Sequence, residues 1–355
     1  MLNNHQIICM HAYVCPHLLM GRVENMGVED VKKKVLVTGG GGFIGSRLVK
    51  TLLQKGLTVK VLDIQHGLLK GESNRNLEFI GIGSNELCGG MVDKDLVEQV
   101  VRDVDVIYHL AINWDGATWA GTHPLADLFD GNIRGTLNLL EAAKSYGVKH
   151  FLFAGSCAVY GEVESSPMDE ETVCKPELSP HHLSAYGIMK LTTEKLCLMY
   201  YHHYGLPVTS FRIEVVFSDN ESLLSALSSK YIDKVIRGED VEVVDGEGCA
   251  SVHVDEVVDA FLSATVNDKA YGHVFNISNP TTYITHRELY QFIIQLTGSK
   301  SKIKVIPSGL RVSCMPESIE KIQRILGWRP QKTKEDLKKA VAETVRSIVA
   351  RHKKQ

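Results

Sequence analysis

The chain has 355 residues, enough for one large domain or two coupled ones, and its 39 basic and 42 acidic residues leave a net charge of −3. No basic run is longer than Lys32-Lys33-Lys34, so neither nucleic acid nor a membrane surface is an expected partner. The 8 cysteines are scattered without a C-x-x-C pair, which argues against a disulfide framework or a zinc module and favours a cytoplasmic protein.

The first 31 residues differ from the rest of the chain. The apolar stretch Gln6–Met20 has no Lys or Arg before it and is too short for a membrane span, so neither a secretory signal nor a transmembrane helix is expected. A nearby group of His and Cys residues fits no standard ligand spacing, and we predict no metal site. The group comprises His5, Cys9, His11, Cys15 and His17. We predict that residues 1–31 are a leader, either disordered or an artefact of the choice of start codon.

From Lys32 onward, β-rich runs alternate with stretches of helical apolar spacing. In chain order these are the strand Lys34–Thr38, helix Phe43–Gln54, strands Leu57–Asp63 and Leu77–Ile82, helix Asp93–Arg102, strand Val104–Leu110, helix Pro124–Tyr146, strand His150–Gly155, helix Ser184–Tyr204 and strand Pro207–Ile213. Such alternation indicates βαβ units in a parallel sheet covered on both faces. We predict an α/β fold with a Rossmann-type doubly wound parallel sheet in residues 32–216, with segments returning near 250–280.

After about Phe217 the alternation loosens. Short strands are predicted at Val241–Val244, Val252–Val254 and His273–Ile277, with helices near Glu221–Arg237, Asp255–Thr265, Thr285–Thr297 and Lys334–Ala350. This pattern is typical of a smaller mixed α/β lobe, which we place in residues 217–355 and expect to bind the substrate.

A glycine-rich loop, TGGGGFIG, joins the first predicted strand to the first helix. Gly39, Gly42 and Gly45 have the spacing G-x-x-G-x-x-G. Glycine there permits a tight turn and lets the backbone approach a pyrophosphate, while the helix N-terminus offers free N–H groups. A flexible linker is the alternative, but a linker would not lie between a β-rich run and an amphipathic helix. We predict a dinucleotide site that includes Phe43 and Ile44.

An acidic residue ends the second predicted strand. Asp63 follows Gly45 by 18 residues, close to the separation at which an acid binds the adenosine ribose hydroxyls. A carboxylate would repel a 2′-phosphate, and the following Ile64-Gln65 supplies no arginine, so we predict NAD and not NADP. Because a strand-end Asp is also a common turn residue, this prediction depends on the glycine loop before it.

A tyrosine and a lysine lie four residues apart in the helix predicted for Ser184–Tyr204. Tyr186 and Lys190 therefore share one helical face. A free tyrosine has a pKa of about 10, and a neighbouring ammonium makes its phenolate easier to form. Ser156, at the end of the fifth predicted strand, could hydrogen-bond to the same substrate oxygen. The Y-x-x-x-K spacing alone is weak evidence of function. Because the pair follows the glycine loop, Asp63 and Ser156 in that chain order, we predict that Ser156, Tyr186 and Lys190 are catalytic.

Together these motifs resemble the extended short-chain dehydrogenases/reductases, in particular the NAD-dependent epimerase/dehydratase family that includes UDP-galactose 4-epimerase. The similarity covers about residues 32–338 and includes the segments YHLA at 108–111, NIRGTLNLLEAA at 132–143, GSCAVYG at 155–161, VHVDEVVDA at 252–260 and LGWRP at 326–330. The resemblance implies that Ser156 and Tyr186 polarise or deprotonate a hydroxyl, that Lys190 also holds the nicotinamide ribose, and that NAD takes a hydride.

The resemblance also implies binding contacts and an oligomeric state. The NAD contacts expected are Gly39, Gly42, Phe43, Ile44, Gly45, Asp63, Ile64, Met91, Leu110, Ala111, Tyr186, Lys190 and Ile213, and the substrate contacts expected are Trp114, Ser156 and Val215. Trp114 could instead pack between the lobes. The helices Pro124–Tyr146 and Ser184–Tyr204 are similar to those that the family pairs into a four-helix bundle, so a homodimer is expected. Its apolar area would come from Leu137, Leu140, Leu191, Leu196 and Met199.

In the substrate lobe, two segments depart from the family pattern. Val215–Ser218 stands where N-V-Y-G is common, and Gly248–Ser251 lacks the arginine that grips a nucleotide-sugar diphosphate. The leading hypothesis is an epimerase/dehydratase-type enzyme acting on a hydroxyl of a sugar or sugar nucleotide. The alternative is an NAD-dependent dehydrogenase or reductase of a non-nucleotide polyol, sugar acid or hydroxy-carbonyl compound. A non-catalytic NAD-sensing protein is less favoured, because Ser156, Tyr186 and Lys190 are all present.

Overall fold

The computed structural model describes residues 34–81, 90–113, 125–163, 167–179, 181–219, 232–307 and 316–352. The strands are β1 (Lys34–Thr38), β2 (Thr58–Asp63), β3 (Leu77–Gly81), β4 (Val104–His109), β5 (His150–Ser156), β6 (Val208–Ile213), β7 (Val216–Phe217), β8 (Val241–Val244), β9 (Gly248–Cys249), β10 (Val252–His253), β11 (His273–Ile277), β12 (Ile284–Thr285) and β13 (Ile303–Ile306). The helices are α1 (Phe43–Gln54), α2 (Lys94–Val101), α3 (Leu125–Phe129), α4 (Gly135–Tyr146), α5 (His181–Tyr204), α6 (Val254–Ala264), α7 (His286–Thr297), α8 (Glu320–Leu326) and α9 (Lys334–His352). The leader, with its His and Cys residues, lies outside the described residues.

A seven-stranded parallel sheet forms the centre of the protein, in the order β11-β6-β5-β4-β1-β2-β3. The order reverses between β1 and β4, and in open α/β sheets ligands bind at the carboxyl edge near such a reversal. The predicted Rossmann-type, doubly wound sheet is confirmed. The returning strand β11 pairs with β6, which places residues 273–277 at the edge of the same sheet.

Different helices cover the two faces of the sheet. Val35 and Val37 of β1 belong to a core with α1 and α6, whereas Leu36 between them belongs to a core with α2, α4 and α5. Successive side chains of a strand point to opposite faces, so burial on both faces explains the continuous apolar run of this strand.

The helix predicted for Pro124–Tyr146 is interrupted. A π-helical turn at Asp130–Arg134 separates α3 from α4. Within it, the Asn132 side chain donates to Leu128 O (2.8 Å) and to Asn113 O (3.0 Å), and its Oδ1 accepts from Asn113 N (2.7 Å). These bonds tie the turn to the chain after β4. Such turns occur often at functional sites, and apolar periodicity does not predict them.

The C-terminal part has a separate apolar core. Val241 and Val243 of the parallel pair β8–β13 pack with residues of α7 and α9 and with the helical residues 232–236. The strand β13 and the helix α8 were not predicted, because each is short and β13 is largely exposed. Among the described helices, none has both the length and the apolarity to cross a bilayer. The described cysteines Cys157, Cys174, Cys197 and Cys249 are all free thiols.

Candidate active site

The loop between β1 and α1 is closely packed at two of the three predicted glycines. Gly39 has a φ of 71°, and a Cβ there would lie 2.7 Å from Ala111 N. A Cβ on Gly45 would lie 2.1 Å from Gly39 O. No side chain can replace either hydrogen without moving backbone, so these glycines let α1 begin directly against the loop.

The N-terminus of α1 is open to a ligand. Its N-cap residue, Gly42, is exposed and has no side chain that could cap the first N–H groups of the helix. A Cβ at Gly42 would meet only Gly39 O, at 3.2 Å. Uncapped N–H groups and the helix dipole favour phosphate, so the loop fits the pyrophosphate of a dinucleotide.

Asp63 ends β2 beside this loop. Its Oδ2 accepts a hydrogen bond from Gly41 N (2.8 Å), and Oδ1 accepts a long one from Gln65 N (3.4 Å). The carboxylate is thereby held at the sheet edge and remains half-buried. A fixed carboxylate at this position fits the two hydroxyls of an adenosine ribose. The residues present therefore fit NAD.

Except for Met91, the other residues predicted to contact NAD lie at or shortly after the ends of strands on the same edge. Phe43 and Ile44 open α1 and are half-buried, as are Leu110 and Ala111 after β4; Ile64 follows β2 and is 51% exposed, whereas Met91 and Ile213 are 6% exposed. Met91 packs against Gly135. A Cβ added to Gly135 would lie only 2.9 Å from the Cβ of Met91, so the glycine leaves room for the methionine. A 51% exposed isoleucine beside a strand-end acid is an apolar surface available to a ligand.

A buried chain of hydrogen bonds holds the H-L-A segment. His109 Nδ1 lies 2.7 Å from Thr38 Oγ1, and Nε2 lies 2.8 Å from Thr136 Oγ1. Thr136 donates to Asn132 O (2.6 Å), so His109 must donate from Nε2 and accept at Nδ1. Burial lowers the pKa of His109 to about 3, which keeps this ring neutral. The chain connects β1, β4 and α4 and fixes the backbone at Ala111, whose N–H donates to Thr38 Oγ1 (3.2 Å).

Ser156, Tyr186 and Lys190 lie together at the carboxyl end of β5. Tyr186 and Ser156 share a side-chain hydrogen bond, and Ser156 Oγ also accepts from Ala158 N (3.1 Å). Lys190 Nζ lies 5.8 Å from the centroid of the Tyr186 ring and donates to Ala154 O (2.6 Å). The predicted set therefore converges, although Ser156 belongs to a different element from the other two.

Burial controls the protonation of this set. It raises the pKa of Tyr186, which the hydrogen bond from Ser156 opposes, and it lowers the pKa of Lys190 to about 7. Lys190 is 5% exposed. An ammonium at this position would therefore need a nearby anion, such as a phenolate, to keep its proton well above neutral pH.

The lowered pKa of Lys190 has a measurable effect on stability. Between about pH 7 and its ordinary pKa of 10.5, the unfolded chain binds one proton more than the folded protein, so stability rises with pH. We expect the unfolding free energy of the wild type, relative to Lys190→Met, to rise by about 1.4 kcal/mol per pH unit between about pH 7.5 and 9.5. Urea denaturation without cofactor measures it, and parallel pH curves for the two proteins would contradict the buried lysine.

The predicted substrate contacts are only partly visible. Val215, two residues after β6, and Ser156 are both half-buried, whereas Trp114 lies outside the described residues. Asn132, which the sequence analysis did not select, is buried next to Met189, the neighbour of Lys190 (3.5 Å from Asn132 Nδ2 to Sδ). Its only signal in the sequence is that it opens the segment NIRGT.

Known proteins are similar to this chain over most of its length. The model of the NAD dependent epimerase/dehydratase family matches residues 35–278, more than half of the chain. The chain is 30% identical over 282 residues to the UDP-N-acetyl-alpha-D-glucosaminuronate decarboxylase of Bacillus cytotoxicus, covering 78% of this chain and 84% of that protein. It is 32% identical over 286 residues to the uncharacterized protein y4nG of Sinorhizobium fredii, covering 79% of this chain but only 64% of that protein.

A solved structure has the same fold. The crystal structure of the UDP-glucose 4-epimerase of Thermotoga maritima with UDP-glucose superposes with a TM-score of 0.71 at 29% sequence identity, and the match covers 89% of this chain and 99% of that one. The match therefore extends beyond the nucleotide-binding sheet into the C-terminal part of both chains.

Proposed function

This chain belongs to the NAD-dependent epimerase/dehydratase family, and from that premise we propose that it is an NAD-dependent epimerase of a sugar nucleotide. The observation that carries the proposal is the convergence of Ser156, Tyr186 and Lys190 at the same carboxyl edge of the sheet as a loop that fits a dinucleotide. The likeness to an epimerase structure over 99% of that chain supports the reaction type and the class of substrate.

In the proposed reaction, Tyr186 acts as the phenolate, which accepts the proton of a substrate hydroxyl and becomes a phenol while Ser156 hydrogen-bonds to the same oxygen. Before this transfer the ammonium of Lys190 stabilises the phenolate, and the phenolate in turn raises the affinity of Lys190 for its proton. NAD, held by the glycine loop and Asp63, supplies the hydride acceptor when bound. Returning the proton from Tyr186 to the oxygen completes the cycle, so the residues end in the state in which they began.

A second candidate function uses the same acid–base residues and the same hydride transfer to NAD, but it acts on a different substrate and releases NADH. Gly248–Ser251 contains no arginine, and Ala250 and Ser251 are buried, so this segment offers no cation to a diphosphate. That observation favours a non-nucleotide polyol, sugar acid or hydroxy-carbonyl compound, oxidised with release of NADH. A non-catalytic NAD-binding protein is a third candidate, and the complete Ser/Tyr/Lys set argues against it.

A product screen with the full chain and NAD distinguishes these candidates. We expect a sugar nucleotide to change configuration without accumulating NADH. NADH released with a free polyol or sugar acid would favour the second candidate. Dinucleotide binding with neither outcome, across sugar nucleotides and free sugars, would favour the third.

Replacing Asp63 with Ala tests the cofactor assignment. We expect NAD affinity to fall about 10- to 100-fold, because hydrogen bonds to a charged group contribute about 1.5–3 kcal/mol, and discrimination against NADP to fall with it. Calorimetric titration with both dinucleotides measures this. Asp95→Ala, which removes an exposed acid from the first turn of α2, is the control and should change neither affinity. A mutant with wild-type preference for NAD would contradict the ribose contact.

The homodimer and the cytoplasmic location are also proposals. Leu137, Leu196 and Met199, on α4 and α5, are only partly buried within the chain and could add apolar area to a four-helix bundle. Leu140 is fully buried in the core of its own chain, so it cannot contribute as the sequence suggested. Analytical ultracentrifugation at micromolar protein concentration would measure the oligomeric state.

A further inference from the structure

A cavity lies between the first turns of α1 and α6, beside the segment that follows β7. Its volume is about 190 Å³. The residues that line it include Phe43, Arg47, Lys50, Asp219, His253 and Asp255. None of Ser156, Tyr186 and Lys190 lines it, whereas Phe43 opens the helix that follows the dinucleotide loop. The cavity is therefore distinct from the acid–base set and adjoins the loop that fits the cofactor.

One hydrogen-bond donor at the wall of this cavity is buried and unpartnered. His253 is 2% exposed and is the N-cap residue of α6, where its Nδ1 accepts from Asp255 N (3.2 Å). A ring nitrogen that accepts carries no hydrogen, so the hydrogen of this ring is on Nε2. Nε2 has no hydrogen-bond partner among the described residues, and Asp219 Oδ2 lies 3.6 Å from it, beyond hydrogen-bond distance. A buried donor in this state usually indicates a water, ion or ligand.

The groups around His253 limit what this partner can be. Asp219 faces Nε2, and Asp255 Oδ2 lies 3.7 Å from Nδ1. Arg47 is already paired with Asp255 through Nε and Nη2. An anion such as a carboxylate at Nε2 would be repelled by Asp219 and has no hydrogen to donate to it. An ammonium group has no lone pair with which to accept from Nε2, whereas a hydroxyl oxygen accepts from Nε2 and donates to Asp219.

The cavity has room for more than the single water that would satisfy His253. Since a water in the liquid occupies about 30 Å³, a volume of about 190 Å³ corresponds to roughly six waters. Lys50 is half-buried at the wall and offers its ammonium hydrogens to a second oxygen. The apolar side chains of Phe43, Leu68 and Val254 also line the cavity. A few polar groups beside apolar surface are typical of a small-molecule site, and this set matches a ring with hydroxyls at its edge and C–H groups on its faces.

We propose that this cavity binds a neutral polyhydroxy compound, a sugar or a polyol. One hydroxyl lies between His253 Nε2 and Asp219, and a second hydroxyl accepts from Lys50. The inference goes beyond the proposed function, because this ligand is not the substrate that reacts at Tyr186. The bound compound contacts Phe43, so it adjoins the cofactor without replacing it.

A neutral ligand and an anion compete in the test of this site. The full chain, with and without saturating NAD, is titrated with D-glucose, and binding is measured by ligand-observed NMR. We expect glucose to bind in both states. Inorganic phosphate at the same concentrations should not displace it, because an anion would meet the charge of Asp219.

Two variants locate the binding. Asp219→Ala removes a carboxylate that is 65% exposed and should weaken glucose binding at least about 10-fold, because a hydrogen bond to a charged group is lost. An anion site would instead bind phosphate more tightly in this variant. His253→Asn removes the Nε2 donor, keeps a residue type favoured as an N-cap, and should also weaken glucose binding. Glu242→Gln, which removes an exposed carboxylate on β8 that pairs with Lys304, is the control and should leave glucose binding unchanged.

Several results would overturn the proposal. Absence of glucose binding would mean that the cavity holds only water. Displacement of glucose by phosphate, or tighter phosphate binding in Asp219→Ala, would indicate an anion site, and loss of glucose binding on saturation with NAD would assign the cavity to the dinucleotide. Equal glucose binding in Asp219→Ala and Glu242→Gln would place the glucose elsewhere in the protein. If His253→Asn does not fold, Asp219→Ala still decides.

Discussion

Replacing Tyr186 with Phe is expected to lower kcat about 100- to 10,000-fold, the usual contribution of a positioned acid–base group. The change removes only the phenol oxygen, which is hydrogen-bonded to Ser156, and keeps the ring that lies 5.8 Å from Lys190 Nζ. NAD affinity should change little, because the glycine loop and Asp63 belong to other elements. Turnover with the substrate found in the screen, together with titration of NAD, measures both quantities.

The matched control for this prediction lies on the same helix. Tyr204 ends α5, is 54% exposed, and its replacement with Phe should leave kcat within about 2-fold, as expected for a surface position far from the site. A Tyr186→Phe protein that retained wild-type turnover would exclude this tyrosine as the group that moves the proton. A mutant that lost NAD binding and turnover together would instead indicate damage to the fold.

Replacing Glu194 with Gln is expected to lower the free energy of unfolding by about 3–5 kcal/mol, because it leaves a buried guanidinium without its carboxylate. Arg212 on β6 donates from Nε (3.0 Å) and Nη2 (2.8 Å) to the two oxygens of Glu194 on α5. The two side chains are 2% and 0% exposed. Such a loss is a large part of the stability of an ordinary domain and is measurable by urea denaturation.

An exposed pair of the same kind provides the comparison. Arg47 on α1 binds Asp255 on α6 through Nε and Nη2, and these side chains are 52% and 41% exposed. Solvent screens this pair, so Asp255→Asn should cost less than about 1 kcal/mol. If Glu194→Gln cost no more than Asp255→Asn, the buried pair would not hold α5 against β6. The buried pair also joins the helix that carries Lys190 to the strand that precedes Glu214, so its loss should disturb both groups.

The sequence predicted those parts of the site whose residues are close together in the chain. The glycine loop, its helix and Asp63 form one βαβ unit. Its geometry is specified locally, by the need for glycine at the tight turn and by the spacing of apolar residues in the strands and the helix. Tyr186 and Lys190 share a helical face because of the pitch of the helix alone. The family and the fold follow from several such local patterns in a fixed order, and both predictions are confirmed.

The interruption of one helix could not be predicted in this way. Residues 124–146 have helical apolar spacing throughout, yet Asn132 opens a π-helical turn by bonding to the backbone of Asn113. The partner belongs to a different part of the sheet edge, and a periodicity within one segment contains no information about it.

By itself the sequence determined the fold class and predicted the glycine loop and the shared helical face of Tyr186 and Lys190, because each depends on spacing within one element or between neighbours. Only the tertiary structure brought Cys157, Glu214 and Glu317 together. A glutamate is ordinarily a solvated residue, and three residues at positions 157, 214 and 317, far apart in the chain, give no joint signal in the sequence. Cys157 and Glu214 meet because β5 and β6 are neighbouring parallel strands that end at the same edge of the sheet, and Glu317 reaches them from the segment before α8.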